Sequence, residues 1–113
     1  MERHIFLVGM PGSGKSALGR RVALKLQTRY LDTDAYLTEI TGMNTAQIFE
    51  VYGEAAFRDG ETRLLRELIS ATPGIISTGG GPELREENRR LMRTHGYVVL
   101  IDRPIDDILM DIR

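Results

Sequence analysis

Short apolar runs alternate with stretches of helical spacing along the whole chain. Ile5-Phe6-Leu7-Val8 is a compact apolar run ending in Gly9, which predicts a buried strand. From Lys15 to Gln27 the spacing becomes helical, and Leu18, Val22 and Leu26 fall on one face. Tyr30-Leu31-Asp32 is a weaker strand. Asp34 then reads as the cap of a short helix carrying Leu37 and Ile40 and stopped by Gly42. Asn44 or Thr45 opens another helix, with Ile48, Phe49 and Tyr52 inside and Gly53 at its end. Phe57, Glu61, Leu64, Leu65 and Leu68 carry helical spacing on to about Ala71, where Pro73-Gly74 breaks it. Ile75-Ile76-Ser77 predicts a third strand and runs into three glycines. Pro82 suits the first turn of a helix through Leu84, Asn88, Leu91 and His95. Tyr97 to Ile101 is the clearest strand, and Pro104 opens a last helix in which the sequence stops without a C-cap. Buried strands alternating with amphipathic helices define an α/β protein with a parallel sheet covered on both faces.

Composition narrows the function classes. The chain has 113 residues, room for one domain. It has no cysteine, which removes disulfides, thiolate catalysis and Cys-ligated metals. No apolar run approaches the roughly 18 residues of a membrane helix, and no signal peptide is visible, so a cytoplasmic protein is expected. The net charge of −1 disfavours nucleic acid as a partner, and the Arg-rich run Arg85 to Arg93 reads as a solvated helix face. His4 and His95 read as surface or helix-end residues.

One motif changes the picture. Gly9-Met10-Pro11-Gly12-Ser13-Gly14-Lys15-Ser16 fits G-x-x-x-x-G-K-[ST], between a strand and a helix as that motif requires. Glycines let successive N–H groups converge on an anion, and the following helix adds its positive end. Lys15 suits the β- and γ-phosphates, and the Ser16 hydroxyl suits Mg²⁺. Only two of the fifteen basic residues are Lys, yet Lys stands where a compact ammonium is wanted. Gly12-x-Gly14-x-x-Ala17 with Asp32 or Asp34 also fits a looser dinucleotide-binding pattern, which leaves Lys15-Ser16 unexplained.

Three further groups are candidates. Asp32-Thr33-Asp34 follows a strand, at the edge of a parallel sheet where ligands bind; one carboxylate suits a metal through water, the other a hydroxyl proton. Arg58 and Glu61 share a helix face, as a surface ion pair or as an Arg aimed at a carboxylate or phosphate. Thr78-Gly79-Gly80-Gly81 is costly for a plain turn and suits close approach of backbone to a ligand.

Together these residues resemble the shikimate kinase family of P-loop proteins. The similarity is carried by GMPGSGKS, Leu31-Asp32-Thr33-Asp34, Ile48-Phe49 to Gly53-Glu54, Phe57-Arg58-Asp59-Gly60-Glu61 and Ser77 to Gly81. Pro11 and Ala17 depart slightly from the commonest family loop. The resemblance implies a three-layer α/β/α fold with sheet order 2-3-1-4-5, lacking the last strand here. It implies one kinase domain over 1–113 that is C-terminally incomplete. Its P-loop would be 9–16, its shikimate-binding region about 34–61 plus 78–82. It implies MgATP-dependent phosphorylation of the shikimate 3-hydroxyl in aromatic amino-acid biosynthesis. Gly12, Ser13, Gly14, Lys15, Ser16 and Ala17 would hold ATP, with Ser16 and Asp32 at Mg²⁺. Lys15 and Asp34 would be catalytic, and Asp34, Arg58, Gly79, Gly80 and Gly81 would bind shikimate, with Glu61 steadying Arg58. The family's mobile lid, a second shikimate-gripping Arg, the last strand and the terminal helix are not among these residues. The strand Tyr97–Ile101 is then expected to be an open apolar edge, a route to self-association, where a complete enzyme would be a monomer. Two other readings stand beside this one: a kinase of gluconate or a nucleoside monophosphate, and a truncated binding fragment without turnover.

Overall fold

The computed structural model describes residues 3–9, 14–79 and 85–101. Four strands form one parallel sheet: β1 (His4–Gly9), β2 (Tyr30–Asp32), β3 (Ile75–Thr78) and β4 (Gly96–Ile101). Their order is β2-β3-β1-β4, the expected 2-3-1-4. Five helices connect them: α1 (Lys15–Lys25), α2 (Thr33–Thr41), α3 (Thr45–Tyr52), α4 (Glu54–Ile69) and α5 (Glu86–His95). Because all strands run the same way, Gly9, Asp32 and Thr78 end at one edge of the sheet. That edge is where such sheets bind ligands.

The main core lies on one face, where Phe6, Val8 and Ile76 meet Leu37, Ile48, Phe57, Leu64, Leu65, Leu68 and Met92. The opposite face buries Leu7, Ala23 and Ile75 under α1. The helical spacing puts Leu18, Val22 and Leu26 on one face of α1; Val22 does pack against this core and Leu18 is half-buried, but the helix is centred on other residues. Gly19 and Ala23 are its buried residues, and Leu26 is exposed. The reason is distance: α1 lies so close to the sheet that a Cβ at Gly19 would overlap the Tyr30 ring and approach Leu7 Cδ1 to 3.0 Å. Small residues, not leucines, allow that approach.

Local signals set the helix starts. Asn44 and Gln47 form a reciprocal capping box at α3. For α2 the expected cap was Asp34; the cap is Asp32, whose Oδ1 accepts from the Ala35 N–H at 3.0 Å. The α4 helix ends at Ile69, slightly before the expected Ala71. The expected helices opening at Pro82 and Pro104 fall partly and wholly outside the described residues; α5 is described from Glu86.

His4 is not a surface residue. It is 3 % exposed, and its Nε2 lies 3.1 Å from the Ile69 carbonyl oxygen, while the Gly74 N–H points at its Nδ1. Burial holds its pKa below the usual value, so the ring is neutral and ties β1 to the end of α4 and the entry of β3. His95 does sit exposed at the end of α5. The Arg-rich face of α5 is solvated as expected, with ion pairs Arg66–Glu87, Arg85–Asp59 and Arg93–Glu86.

At the other side of the sheet, Tyr97, Val98, Val99 and Leu100 are 60, 42, 41 and 63 % exposed. Among the described residues β4 is the edge strand, and these four side chains are exposed.

Candidate active site

The site is assembled at the carboxyl edge of the sheet from the first turns of α1 and α2, one face of α4, and the residue after β3. Gly14 caps α1 in the left-handed region, which puts Lys15 and Ser16 in the first helical turn. Gly12 and Ser13 lie outside the described residues, as do Gly80 and Gly81. Ala17 follows in the same turn of α1 and is exposed.

Ser16 and Asp32 meet directly: the Ser16 hydroxyl donates to Asp32 Oδ2 at 3.0 Å. Asp32 thus serves two ends at once, capping α2 with one oxygen and holding the P-loop serine with the other. A hydroxyl and a carboxylate oxygen side by side fit Mg²⁺, which takes few protein oxygens and keeps water and phosphate for the rest. No cluster of three acidic or His side chains exists among the described residues, so a dedicated all-protein metal cage is absent there.

Asp34 follows one helical step later and turns toward β3. A Cβ on Gly79 would overlap Asp34 Oδ2 and lie 3.3 Å from its Cγ. Glycine at 79 is therefore required by the carboxylate as much as by any ligand. Gly79→Ala is expected to push Asp34 out of place. Overpacking of this kind costs about 1–3 kcal/mol, so affinity for a ligand that bonds to Asp34 should fall about tenfold or more. Calorimetric titration of that variant checks it, and unchanged affinity would refute the packing argument.

Glu61 lies beside Asp34, from a helix far away in sequence, and is 2 % exposed. Burial first, and then the neighbouring Asp34, push its carboxyl up to about 7, against the pull of Arg58. An unfolded Glu61 titrates near the ordinary 4.5. Between those values the folded chain holds a proton that the unfolded chain releases. Stability from this group is therefore gained as pH falls from about 7 and lost as pH rises through it. Glu61→Gln should flatten that dependence; melting temperatures at pH 5.5 and 7.5 with equal slopes in both proteins would contradict it.

Arg58 is held on several sides. It lies 3.5 Å from Glu61 Oε1 and 3.7 Å from Glu54 Oε1, and its side chain is 15 % exposed. Its guanidinium carbon stands 5.8 Å from the Phe49 ring and 5.4 Å from the Phe57 ring, which themselves meet edge-on. The expected Arg58–Glu61 pair exists and is not a surface pair, since Glu61 is buried. Glu54 and the two rings are partners that the Arg58–Glu61 spacing does not indicate. The i, i+4 spacing from Glu54 to Arg58 was a usable signal; nothing in the spacing points to Phe49.

Four buried oxygens here have no hydrogen-bond partner among the described residues: Thr33 Oγ1, Asp34 Oδ1, Glu61 Oε2 and Thr78 Oγ1. Buried polar atoms are almost always bonded in a finished structure. These four lie in the segments that carry Asp34, Glu61 and Gly79, and the Asp34 and Glu61 side chains are hydrogen-bonded to each other. An acidic pair next to a braced arginine suits a molecule bearing both hydroxyls and a carboxylate.

The parallel 2-3-1-4 sheet, with Gly14-Lys15-Ser16 opening the helix after the first strand, defines a P-loop α/β protein. Residues 11–113 match the shikimate kinase family, to which the chain belongs. It is 40 % identical over 111 residues to the shikimate kinase of Nitrobacter winogradskyi, covering 98 % of this chain and 52 % of that protein. It is 38 % identical over 112 residues to the shikimate kinase of Clostridium beijerinckii, covering 99 % and 66 %. The crystal structure of shikimate kinase from Aquifex aeolicus superposes with a TM-score of 0.82 at 37 % identity, covering 94 % of this chain and 63 % of that one. The shikimate kinase of Acinetobacter baumannii in complex with shikimate gives 0.83 at 37 %, covering 96 % and 60 %. The chain spans about half to two thirds of the relatives it matches.

Proposed function

We propose that this chain forms the nucleotide- and shikimate-binding part of a shikimate kinase. The reaction moves the γ-phosphoryl group of ATP to the 3-hydroxyl of shikimate, in aromatic amino-acid biosynthesis. The observation that carries the reading is the meeting of Asp34, Glu61 and Arg58 beside Gly79, at the sheet edge that also carries Lys15 and Ser16. Phosphate at one end and a hydroxylated carboxylate at the other is the layout that phosphoryl transfer to such an acceptor needs.

In this reading residues 1–113 belong to one kinase domain. Gly12, Ser13, Gly14, Lys15, Ser16 and Ala17 cradle the ATP phosphates. Ser16 and Asp32 would hold Mg²⁺, which supplies charge neutralisation on the phosphates. Arg58 takes the shikimate carboxylate, braced by Glu61. Gly79, Gly80 and Gly81 line the acceptor. Asp34 accepts hydrogen bonds from the shikimate hydroxyls and takes the proton of the attacking one. As the new P–O bond forms, the bond between the γ-phosphorus and the bridging oxygen breaks, and its electrons stay on ADP. No helix among the described residues is long and apolar enough to cross a membrane, in keeping with a cytoplasmic enzyme.

Radiolabelled ATP offered with shikimate, gluconate and AMP tests the reading. Label in shikimate alone, or tight calorimetric binding of shikimate alone, supports it. Label in gluconate or AMP without shikimate overturns it. Binding of shikimate and ATP without transfer identifies a binding fragment.

A further inference from the structure

The strongest unexplained feature is a buried polar pair behind the site. Thr62 and Asn88 are 7 % and 1 % exposed and join α4 to α5 through the core side of both helices. The Thr62 hydroxyl donates to Asn88 Oδ1 at 2.8 Å, and the same oxygen lies 3.1 Å from the Arg58 carbonyl oxygen. A hydroxyl carries one hydrogen and cannot serve both acceptors at once. Turning the Asn88 amide over, with no heavy atom moved, lets its NH₂ donate to Thr62 and frees the hydroxyl hydrogen for Arg58. In either arrangement Asn88, Thr62 and the main chain of Arg58 form one connected run.

Nothing in packing alone demands it. Leu at 88 and Val at 62 would match these side chains in shape and avoid burying polar atoms, which is unfavourable unless they are bonded. A bonded pair does what an apolar one does not: it accepts one separation and one rotation of the helices. The rotation of α4 is what aims two neighbours of Thr62 at other elements, namely Glu61 toward Asp34 of α2 and Arg58 toward Phe49 of α3. A hydroxyl leaning on the carbonyl four residues back also bends a helix locally, here at the turn of Arg58.

We infer that Asn88 and Thr62 are positioning residues, which set the affinity for the carboxylate end of the acceptor by fixing the turn of α4 that carries Arg58 and Glu61. The inference rests on the reading of Arg58 given under Proposed function. It concerns residues that touch no ligand.

The test titrates shikimate and ATP calorimetrically into the parent chain, Thr62→Val, Asn88→Leu, the double variant and Thr62→Ser. Thr62→Val and Asn88→Leu should each weaken shikimate about 5–20-fold and leave ATP within about twofold, the range of one lost polar contact in a site. Thr62→Ser, which keeps the hydroxyl, should bind like the parent. The double variant should be no worse than the weaker single one, because both break one run. Parent-like shikimate binding by Thr62→Val and Asn88→Leu overturns the inference alone, whatever happens to melting temperature. Equal losses for both ligands also overturn it, since they signal general loosening. A parent chain that binds ATP but not shikimate overturns the functional reading and this inference with it.

Discussion

Arg58→Ala is expected to weaken shikimate binding by about a hundredfold while leaving nucleotide binding within about twofold, a loss in the range of a charge-assisted contact plus its buried partner. Two effects add. The carboxylate loses a planar fork that Phe49, Phe57, Glu54 and Glu61 hold in one place. Glu61 also loses the one cation that draws its carboxyl down, while burial and Asp34 continue to push it up from about 7. The variant should therefore be destabilised more at pH 8 than at pH 6, because its folded state must hold a proton on Glu61, or bury the charge, at a pH where the unfolded chain has released that proton. Arg58→Lys should recover little, since a single ammonium cannot make the paired contact of a planar fork. Calorimetry with each ligand checks the first claim; similar losses for ATP and shikimate would show that Arg58 supports the whole fold instead.

Lys15→Ala should give the complementary result, a loss of about a hundredfold or more for ATP with shikimate nearly unaffected. Lys15 is the first residue of α1, where the positive end of the helix and an ammonium act on the same anion. It lies at the P-loop end of the sheet edge, on a different element from Arg58, so the two variants should be separable. Their combined effects should add in free energy, as expected for sites that share no partner. Lys15→Arg is not a rescue, because the larger planar head does not fit the place of a compact charge. Fluorescent-nucleotide binding reads the effect, and wild-type affinity in Lys15→Ala would remove the P-loop from the mechanism.

Much of this was legible in the sequence where one residue type answers one physical demand. Strands of consecutive β-branched and apolar residues ended at glycines, and Asn44 and Gly53 bounded their helix as read. Lys15 and Ser16 open α1, Asp32 and Asp34 stand at the end of β2 and the start of α2, and Arg58 and Glu61 share a turn of α4, as their spacing suggests. Errors arose where geometry across the fold outweighed local pattern. The leucines of α1 outvote Gly19 in any periodicity, yet the helix-to-sheet distance decides the register. Asp32 and Asp34 compete for one cap, and only the direction of each carboxylate separates them. His4 sits at the start of a strand like any polar flank, and its burial depends on the end of α4 and the entry to β3. The nearness of Asp34 and Glu61 has no local trace, because two helices far apart in the chain bring it about.

The open side of β4 has a consequence for how the molecule opens. β1 is bonded on one side to β3 and on the other to β4, so its main-chain groups are engaged along its whole length. In a parallel pair each strand turns alternate residues toward its neighbour. With β1 as its one partner among the described residues, β4 leaves the other residues' amides facing away from the sheet. Its side chains add little cover, since four successive residues are exposed. Local opening free energies follow such differences in bonding and burial. Among the described residues the sheet is thus graded, from β1, bonded on both sides, to β4, bonded on one, so local opening of this chain is expected to begin at β4 rather than at the strand before Lys15.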